Sequence, residues 1–245
     1  MNSRLKIVNG FTFKQFSVQQ ERCAMKVGTD GVLLGAWASG GTKILDIGTG
    51  TCVVALMMAQ RHPNSSVTAI DLDENACLQA KKNVSNSPFK DRIDVIWKSL
   101  QDFALQKTLE KNSLSCFDAI VSNPPFFENS LKNPDGGRMM ARHTDSLSYA
   151  ELFQGVAALL SDEGEFSAII PTDCLDRFLS ESYIYGFFLT RKCLVKTVER
   201  KQPKRCLVAF RKQPPVEVEN AIVCLQQADG ERSEWYQKLT KDFYL

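Results

Sequence analysis

Short apolar runs alternate with longer amphipathic stretches through the middle of the chain, and this alternation constrains the fold more than any other feature of the sequence. The apolar runs fit buried strands, and the stretches between them fit helices that cover a mostly parallel sheet. The predicted strands are 43–47, 66–71, 93–97, 117–122 and 165–170, and the predicted helices are 52–61, 74–85, 148–160 and one after Pro171-Thr172-Asp173. We therefore expect an α/β fold with helices on both faces of the sheet.

The ends of the chain add elements to this core. Two extended runs, 191–199 and 205–211, are joined by a short link and should form an antiparallel hairpin at one end of a seven-stranded sheet. Residues 1–39 are expected to form an N-terminal extension with an extended start and a helix beginning near Thr29 and Asp30, whose side chains suit an N-cap. Pro214-Pro215 separates the core, 40–213, from residues 214–245, which should add a strand and a short helix packed on the core.

The composition excludes several classes of protein. No apolar run approaches the roughly 18 residues that cross a bilayer, and the N-terminus has no apolar segment of a secretory signal. None of the eight cysteines stands in a C-x-x-C pair, and the histidines are His62 and His143. We expect reduced thiols, no metal, a cytoplasmic location and no membrane partner, with a monomer as the expected state and a weak homodimer left open.

The turn Asp46-Ile47-Gly48-Thr49-Gly50-Thr51-Cys52 joins a predicted strand to a predicted helix. Glycines there let the chain turn sharply and let a ligand approach the backbone. Asp71 ends the next strand, where a carboxylate can accept both hydroxyls of a ribose. A dinucleotide and S-adenosylmethionine (AdoMet) both fit this pattern, and so does a plain turn in another protein of similar fold.

Two details of this turn favour AdoMet. The dinucleotide motif needs a third glycine at the position that Val53 occupies. Asp46 would also lie beside the pyrophosphate of a dinucleotide, where like charge is unfavourable. AdoMet carries an ammonium and a sulfonium and no phosphate, so an acid there is compatible with it.

Asn123-Pro124-Pro125-Phe126 follows the fourth predicted strand, at the edge where open α/β sheets bind ligands. The exocyclic amine of a base is a poor nucleophile because its lone pair is conjugated with the ring. Two acceptors aimed at its hydrogens, the Asn123 side-chain oxygen and the Pro124 carbonyl, would favour the charged transition state. Phe126 offers a flat face for a flipped base. A Pro-Pro loop that merely ends a strand is the alternative.

Together these motifs resemble the class I AdoMet-dependent methyltransferases with an N-P-P-aromatic motif, which act on planar amino groups. More closely, the chain resembles the bacterial tRNA1(Val) (adenine(37)-N6)-methyltransferase family, nearly end to end. The matching stretches are 13–16, 25–37, 46–52, 99–103, 123–127, 141–143 and 242–245. The resemblance implies a Rossmann-like fold and methylation of adenine N6 in tRNA, with S-adenosylhomocysteine as the second product.

The resemblance also implies roles for individual residues. The implied cofactor-binding residues are Lys26, Thr29, Asp30, Asp46, Gly48, Thr49, Gly50, Asp71, Leu72, Ser99, Leu100 and Asn123. The glycine turn should line the methionine end of AdoMet, Asp71 its ribose and the stretch 99–102 its adenine, while the N-terminal residues cover the site. The implied catalytic residues are Asn123, Pro124, Pro125 and Phe126. Cys52 departs from the family pattern, which usually has a third glycine there, and Phe126 replaces the commoner tyrosine.

Basic residues concentrate in the predicted hairpin. Residues 191–212 contain nine lysines and arginines and a single acidic residue, Glu199, which gives this segment a net charge of +8. Such a surface suits phosphates, and the alternative is a solvated basic hairpin with no partner. The predicted RNA contacts are Arg200, Lys201, Lys204 and Arg205 near its tip, with Arg138, Arg142 and His143 beside the flipped base.

Three other functions also fit the sequence. An N-P-P-aromatic motif also suits a glutamine amide, so a protein glutamine N5-methyltransferase is one alternative. DNA adenine is another target, disfavoured by the absence of an extra recognition domain. The last is a non-catalytic RNA-binding protein with a methyltransferase fold, against which Asn123 and Asp71 argue.

Overall fold

The computed structural model describes residues 10–21, 26–110, 117–125 and 147–245. Its strands are β1 (Gly10–Thr12), β2 (Ser17–Gln19), β3 (Lys43–Ile47), β4 (Ser66–Asp71), β5 (Ile93–Trp97), β6 (Phe117–Ser122), β7 (Leu160–Pro171), β8 (Phe188–Lys196), β9 (Arg205–Arg211) and β10 (Glu219–Cys224). Its helices are α1 (Thr29–Trp37), α2 (Val53–Arg61), α3 (Glu74–Ser85), α4 (Leu100–Leu109), α5 (Tyr149–Leu159), α6 (Leu175–Ile184) and α7 (Glu234–Thr240), with a 3-10 turn at Thr172–Cys174. No helix within these ranges is long and apolar enough to cross a membrane.

The strands from β3 onward form one sheet in the order β10-β8-β9-β7-β6-β3-β4-β5, in which β9 alone runs antiparallel to its neighbours. The Rossmann-like α/β fold and the β8–β9 hairpin are confirmed. The predicted count of seven strands is wrong, and the hairpin does not end the sheet. β10 pairs with β8 in parallel and becomes the edge strand.

Side-chain alternation along the strands divides the core into two layers. Ile44 faces one layer and Leu45 the other, as expected for successive residues of a strand. The first layer packs against α1, α2, α3, α7 and the β1–β2 hairpin, and the second against α4, α5 and α6. Both faces of the sheet are therefore covered, which explains why its central strands are continuous apolar runs.

Some local structure differs from the predictions. α4 was not predicted, although Ser99 caps it by accepting a hydrogen bond from the Asp102 N–H. The N-cap of α1 is Gly28, so Thr29 and Asp30 are helical residues and do not cap the helix. The apolar setting of Trp97 in the sequence predicts a core residue, but Trp97 is 55% exposed, and its indole N–H donates a 2.9 Å hydrogen bond to the Leu72 carbonyl. This hydrogen bond gives the indole N–H a partner at the protein surface. A buried indole would need such a partner in the core.

Helices α1 and α2 lie side by side with their N-termini at the same end. A Cβ placed on Gly31 would stand 3.1 Å from Val53, the first residue of α2. One turn later, a Cβ on Gly35 would stand 2.9 Å from the Cβ of Met57. The two glycines therefore allow a close approach, which holds the first turn of α1 against the start of α2.

Gly35→Ala should destabilise the protein by about 1–3 kcal/mol, because the new methyl group overlaps Met57 close to the backbone. This loss should exceed the roughly 1 kcal/mol that alanine gains over glycine in a helix. Urea unfolding followed by circular dichroism measures the change. Gly31→Ala is the matched control, since the Val53 methyl it meets can shift, and it should lose less. A Gly35→Ala variant as stable as the wild type would contradict this packing.

Candidate functional site

The candidate site residues follow the carboxyl ends of three adjacent parallel strands and therefore lie at one edge of the sheet. Ile47 on β3 pairs with Ile70 on β4 and with Ser122 on β6. The residues that follow these three, Gly48, Asp71 and Asn123, therefore emerge together, on strands that are about 4.8 Å apart. We call this end of the sheet the carboxyl edge. The glycine turn and the start of the N-P-P motif therefore share this edge, as the sequence predicts.

The glycine turn is held in left-handed backbone conformations. Gly48 and Gly50 have φ of 71° and 54°, and Cys52, the N-cap of α2, has φ of 67°. Within the described residues, no heavy atom lies within 4 Å of a Cβ placed on Gly48 or Gly50, so the turn has an open face. Cys52 is fully buried. Its left-handed conformation costs a non-glycine residue about 1–2 kcal/mol, a cost that the glycine usual at this position in the family would avoid.

Asp71 fixes the glycine turn. One of its oxygens accepts a 2.8 Å hydrogen bond from the Gly50 N–H, and the other accepts a 2.9 Å bond from the Asp73 N–H. Burial raises the pKa of the Asp71 carboxyl above its ordinary value. Each oxygen of a carboxylate has a second lone pair, so Asp71 can still accept two hydroxyl donors.

Asp46 lies beneath the turn and is 1% exposed. The Thr49 hydroxyl donates a 2.6 Å hydrogen bond to its carboxylate. Burial raises the pKa of Asp46 to about 7, although hydrogen bonds from Thr49 and the Ala55 backbone oppose the shift. Its charge therefore changes near neutral pH, and a cation bound at the turn would favour the ionised form.

Asn123 presents a buried hydrogen-bond acceptor. Its side-chain oxygen is buried and has no hydrogen-bond partner among the described residues. The preceding Ser122 hydroxyl donates a 3.0 Å bond to the Ile47 carbonyl and so fixes the end of β6 against β3. A buried acceptor left unpaired costs about 1–3 kcal/mol, and such a group requires an explanation, for which a ligand donor is one candidate. Pro124 is buried and Pro125 exposed, while Phe126 lies outside the described residues.

On the other side of the turn lie the residues expected to border an adenine ring. Leu72 is 55% exposed and follows Asp71. Ser99 is the N-cap of α4, and Leu100 is 4% exposed because its side chain packs against Gly155 of α5. Only the backbone of Leu100 can therefore face a ligand at the carboxyl edge.

The N-terminal residues lie at this edge as well. Lys26 and Thr29 are exposed, and Asp30 is half-buried in the first turn of α1. Because Gly31 contacts Val53, this turn lies beside the residue that follows the glycine turn. Asp30 accepts a hydrogen bond from Arg205 across 2.7 Å.

The tip of the β8–β9 hairpin reaches the same edge. Pro171, at the carboxyl end of β7, pairs with Arg205, and the Thr172 hydroxyl donates to the Pro203 carbonyl. Arg200, Lys201 and Lys204 are exposed there. Arg205, predicted as an RNA contact, is engaged with Asp30. The predicted contacts Arg138, Arg142 and His143 lie outside the described residues.

Sequence reasoning missed Asn83. This residue of α3 is 1% exposed, and its amide donates to the carbonyls of Gln19 and Thr51 while accepting from the Gln19 N–H. One side chain thus joins β2 of the N-terminal hairpin to the glycine turn. No local pattern in an amphipathic helix could have indicated contacts with residues 64 and 32 positions away.

Comparisons with known proteins agree with this geometry. Residues 27–170 match the family model described as methyltransferase small domain. The tRNA1(Val) (adenine(37)-N6)-methyltransferase of Bacteroides thetaiotaomicron is 48% identical over 96% of this chain and 97% of its own length. The protein of that name from Pseudoalteromonas translucida is 42% identical over 97% of this chain and 99% of its own.

Among solved structures, one described as a predicted O-methyltransferase from Agrobacterium tumefaciens superposes with a TM-score of 0.67 at 16% identity. It covers 87% of this chain and 96% of its own, which supports the fold alone. The sequence relatives carry the assignment further, because they match at high identity from end to end. The chain belongs to the tRNA1(Val) (adenine(37)-N6)-methyltransferase family.

Proposed function

We propose that this protein transfers a methyl group from AdoMet to N6 of adenine 37 in tRNA1(Val). The relatives that match nearly the whole chain bear this name. The observation that carries the proposal is the buried side-chain oxygen of Asn123, which has no donor within the part of the chain that the structure describes and lies one strand away from an open glycine turn. An amine hydrogen of the target base would supply that donor.

The residues at the carboxyl edge fit AdoMet as the methyl donor. When bound, AdoMet supplies an electrophilic methyl group on a sulfonium. Asp46 and the glycine turn would hold its cationic methionine end, and the free lone pairs of Asp71 would accept its ribose hydroxyls. Leu72 and the backbone at Ser99 and Leu100 would border its adenine.

The N-P-P motif activates the amine by hydrogen bonding. The Asn123 oxygen and the Pro124 carbonyl would each accept one hydrogen of the N6 amine. As the nitrogen becomes tetrahedral and charged, both bonds strengthen, which lowers the barrier. The carbonyl position is fixed because two consecutive prolines restrict the backbone. No strong base is required, because the proton becomes acidic once the nitrogen is methylated.

The tip of the β8–β9 hairpin would bind tRNA phosphates. Arg200, Lys201 and Lys204 are exposed at the same edge as Asn123, so a tRNA held there could place a flipped base in the site. A tRNA substrate also places the enzyme in the cytoplasm. Nucleoside mass spectrometry of a tRNA1(Val) transcript incubated with the protein and AdoMet tests the proposal. N6-methyladenosine should form, and guanine at position 37 should prevent it; a transcript that stays unmethylated, while a release-factor protein added to a parallel reaction is methylated on glutamine, would refute the proposal.

Asn123→Ala should lower the methylation rate by about 10²–10³-fold, because one of two transition-state acceptors is lost. AdoMet affinity, measured by calorimetry, should be nearly unchanged. Asn220→Ala, at an exposed position on β10, is the matched control and should behave as the wild type. Loss of AdoMet binding together with turnover would contradict the role given to Asn123.

AdoMet should bind several-fold more tightly at pH 7.5 than at pH 6, because the cation favours the ionised form of Asp46, whose pKa is about 7. The pH dependence of folding stability has the opposite sign. The raised pKa of Asp46 stabilises the folded state at low pH, and that contribution is lost as the pH rises through 7. Calorimetry across this range measures the affinity. Asp46→Asn should abolish the slope, while Asp94→Asn, an exposed acid on β5, should retain it. An Asp46→Asn variant with the wild-type slope would show that another group titrates.

Lys201→Glu combined with Lys204→Glu should weaken tRNA binding and reduce the slope of log affinity against log salt by about 2. Filter binding between 50 mM and 200 mM salt is the measurement, over a range in which phosphate contacts are lost roughly in proportion to their number. Lys238→Glu with Lys241→Glu makes the same charge change on α7, near the opposite end of α2. If both pairs changed the slope equally, net charge would explain the result and the hairpin would not be a specific contact.

A further inference from the structure

We propose that the ion pair between Asp30 and Arg205 is a positioning contact that couples tRNA binding to AdoMet binding. Through it, the β8–β9 hairpin holds the first turn of α1 beside the glycine turn. The inference rests on the proposed function and assigns to Arg205 a role different from the phosphate contact that the sequence predicts.

The pair joins two parts of the chain that are 175 residues apart. The Arg205 Nε lies 2.7 Å from the Asp30 Oδ2, with side chains 36% and 24% exposed. A second nitrogen of the same guanidinium donates a 3.1 Å hydrogen bond to the Lys204 carbonyl. Because the guanidinium is planar and rigid, it fixes the direction of the hairpin loop relative to α1.

On the Asp30 side, the contact reaches the cofactor turn within a few residues. Gly31 packs against Val53, which directly follows Cys52 at the end of the turn. A displacement of the first turn of α1 would therefore change the packing at the start of α2. Lys26 and Thr29, the residues expected to cover AdoMet, belong to the same short segment.

On the Arg205 side, the contact reaches the proposed tRNA surface. The Thr172 N–H donates to the Lys204 carbonyl, and its hydroxyl donates to the Pro203 carbonyl. These bonds fix the hairpin loop to the end of β7, the neighbour of β6, from which Asn123 emerges. Phosphates bound at Lys201 and Lys204 would therefore act on a loop that already contacts both the end of β7 and α1.

A purely electrostatic role and a positioning role of Arg205 predict opposite changes in AdoMet affinity when Arg205 is replaced. Removing the cation of Arg205 would strengthen the binding of cationic AdoMet if Arg205 acted only through its field. If Arg205 holds α1 in place, removing it should weaken AdoMet binding as much as removing Asp30 does. If Arg205 contacts only phosphate, AdoMet affinity should not change.

The experiment measures AdoMet affinity by calorimetry on the full chain, with and without tRNA, for Asp30→Asn, Arg205→Gln and the double variant. Each single variant should weaken AdoMet binding about threefold to fivefold, and the double variant should be no weaker, since both remove one interaction. The factor by which tRNA tightens AdoMet binding should fall toward one in all three. Thermal melting checks that the variants are folded.

Asp162→Asn is the matched control, because it breaks the exposed pair with Lys212 at the amino end of β7 and should leave AdoMet affinity and the coupling unchanged. Tighter AdoMet binding by Arg205→Gln, additive losses, or an effect on tRNA affinity alone would overturn the inference. A wild-type protein that neither binds AdoMet nor methylates tRNA would instead refute the proposed function, so the two failures are distinguishable.

Discussion

The register of β3 against β4 and β6 is the constraint on which the rest of the molecule depends. Ile47 is paired on both sides, with Ile70 and Ser122, so the chain must leave all three strands at one level. A shift of one residue in either pairing would invert which face each side chain occupies and separate the acid from the amide. The buried apolar residues on both faces prevent such a shift. The packing of the core therefore determines where the groups proposed for the reaction lie.

The candidate site keeps several groups in states that folding alone does not favour. Asp46 is buried with a pKa near neutrality, the Asn123 oxygen lacks a donor among the described residues, and Cys52 has a left-handed backbone. Each costs free energy in the protein without ligand, and the large core offsets the sum. Groups of this kind cluster where ligands bind, because the ligand supplies the missing charge or hydrogen bond.

The central strands could be predicted from the sequence because each is a short run rich in apolar residues. The boundaries of β3 to β6 were predicted residue for residue, and this was enough to bring the glycine turn and the N-P-P motif together. The failures have physical causes. α4 was missed because it has charged and apolar residues without clear periodicity. Trp97 was misjudged because its partner, Leu72, is distant in the sequence, and the contact of Arg205 with Asp30 could not be predicted for the same reason.

Packing also explains why the two ends of the chain carry family motifs. The Lys14 N–H donates to the Phe243 carbonyl, and the rings of Phe13 and Tyr244 are stacked with centroids 6.0 Å apart. The C-terminal residues thus hold the β1–β2 hairpin onto the core, and Gln19 of that hairpin bonds to Asn83. Because the Asn83 amide also donates to the Thr51 carbonyl, the termini support the glycine turn from behind.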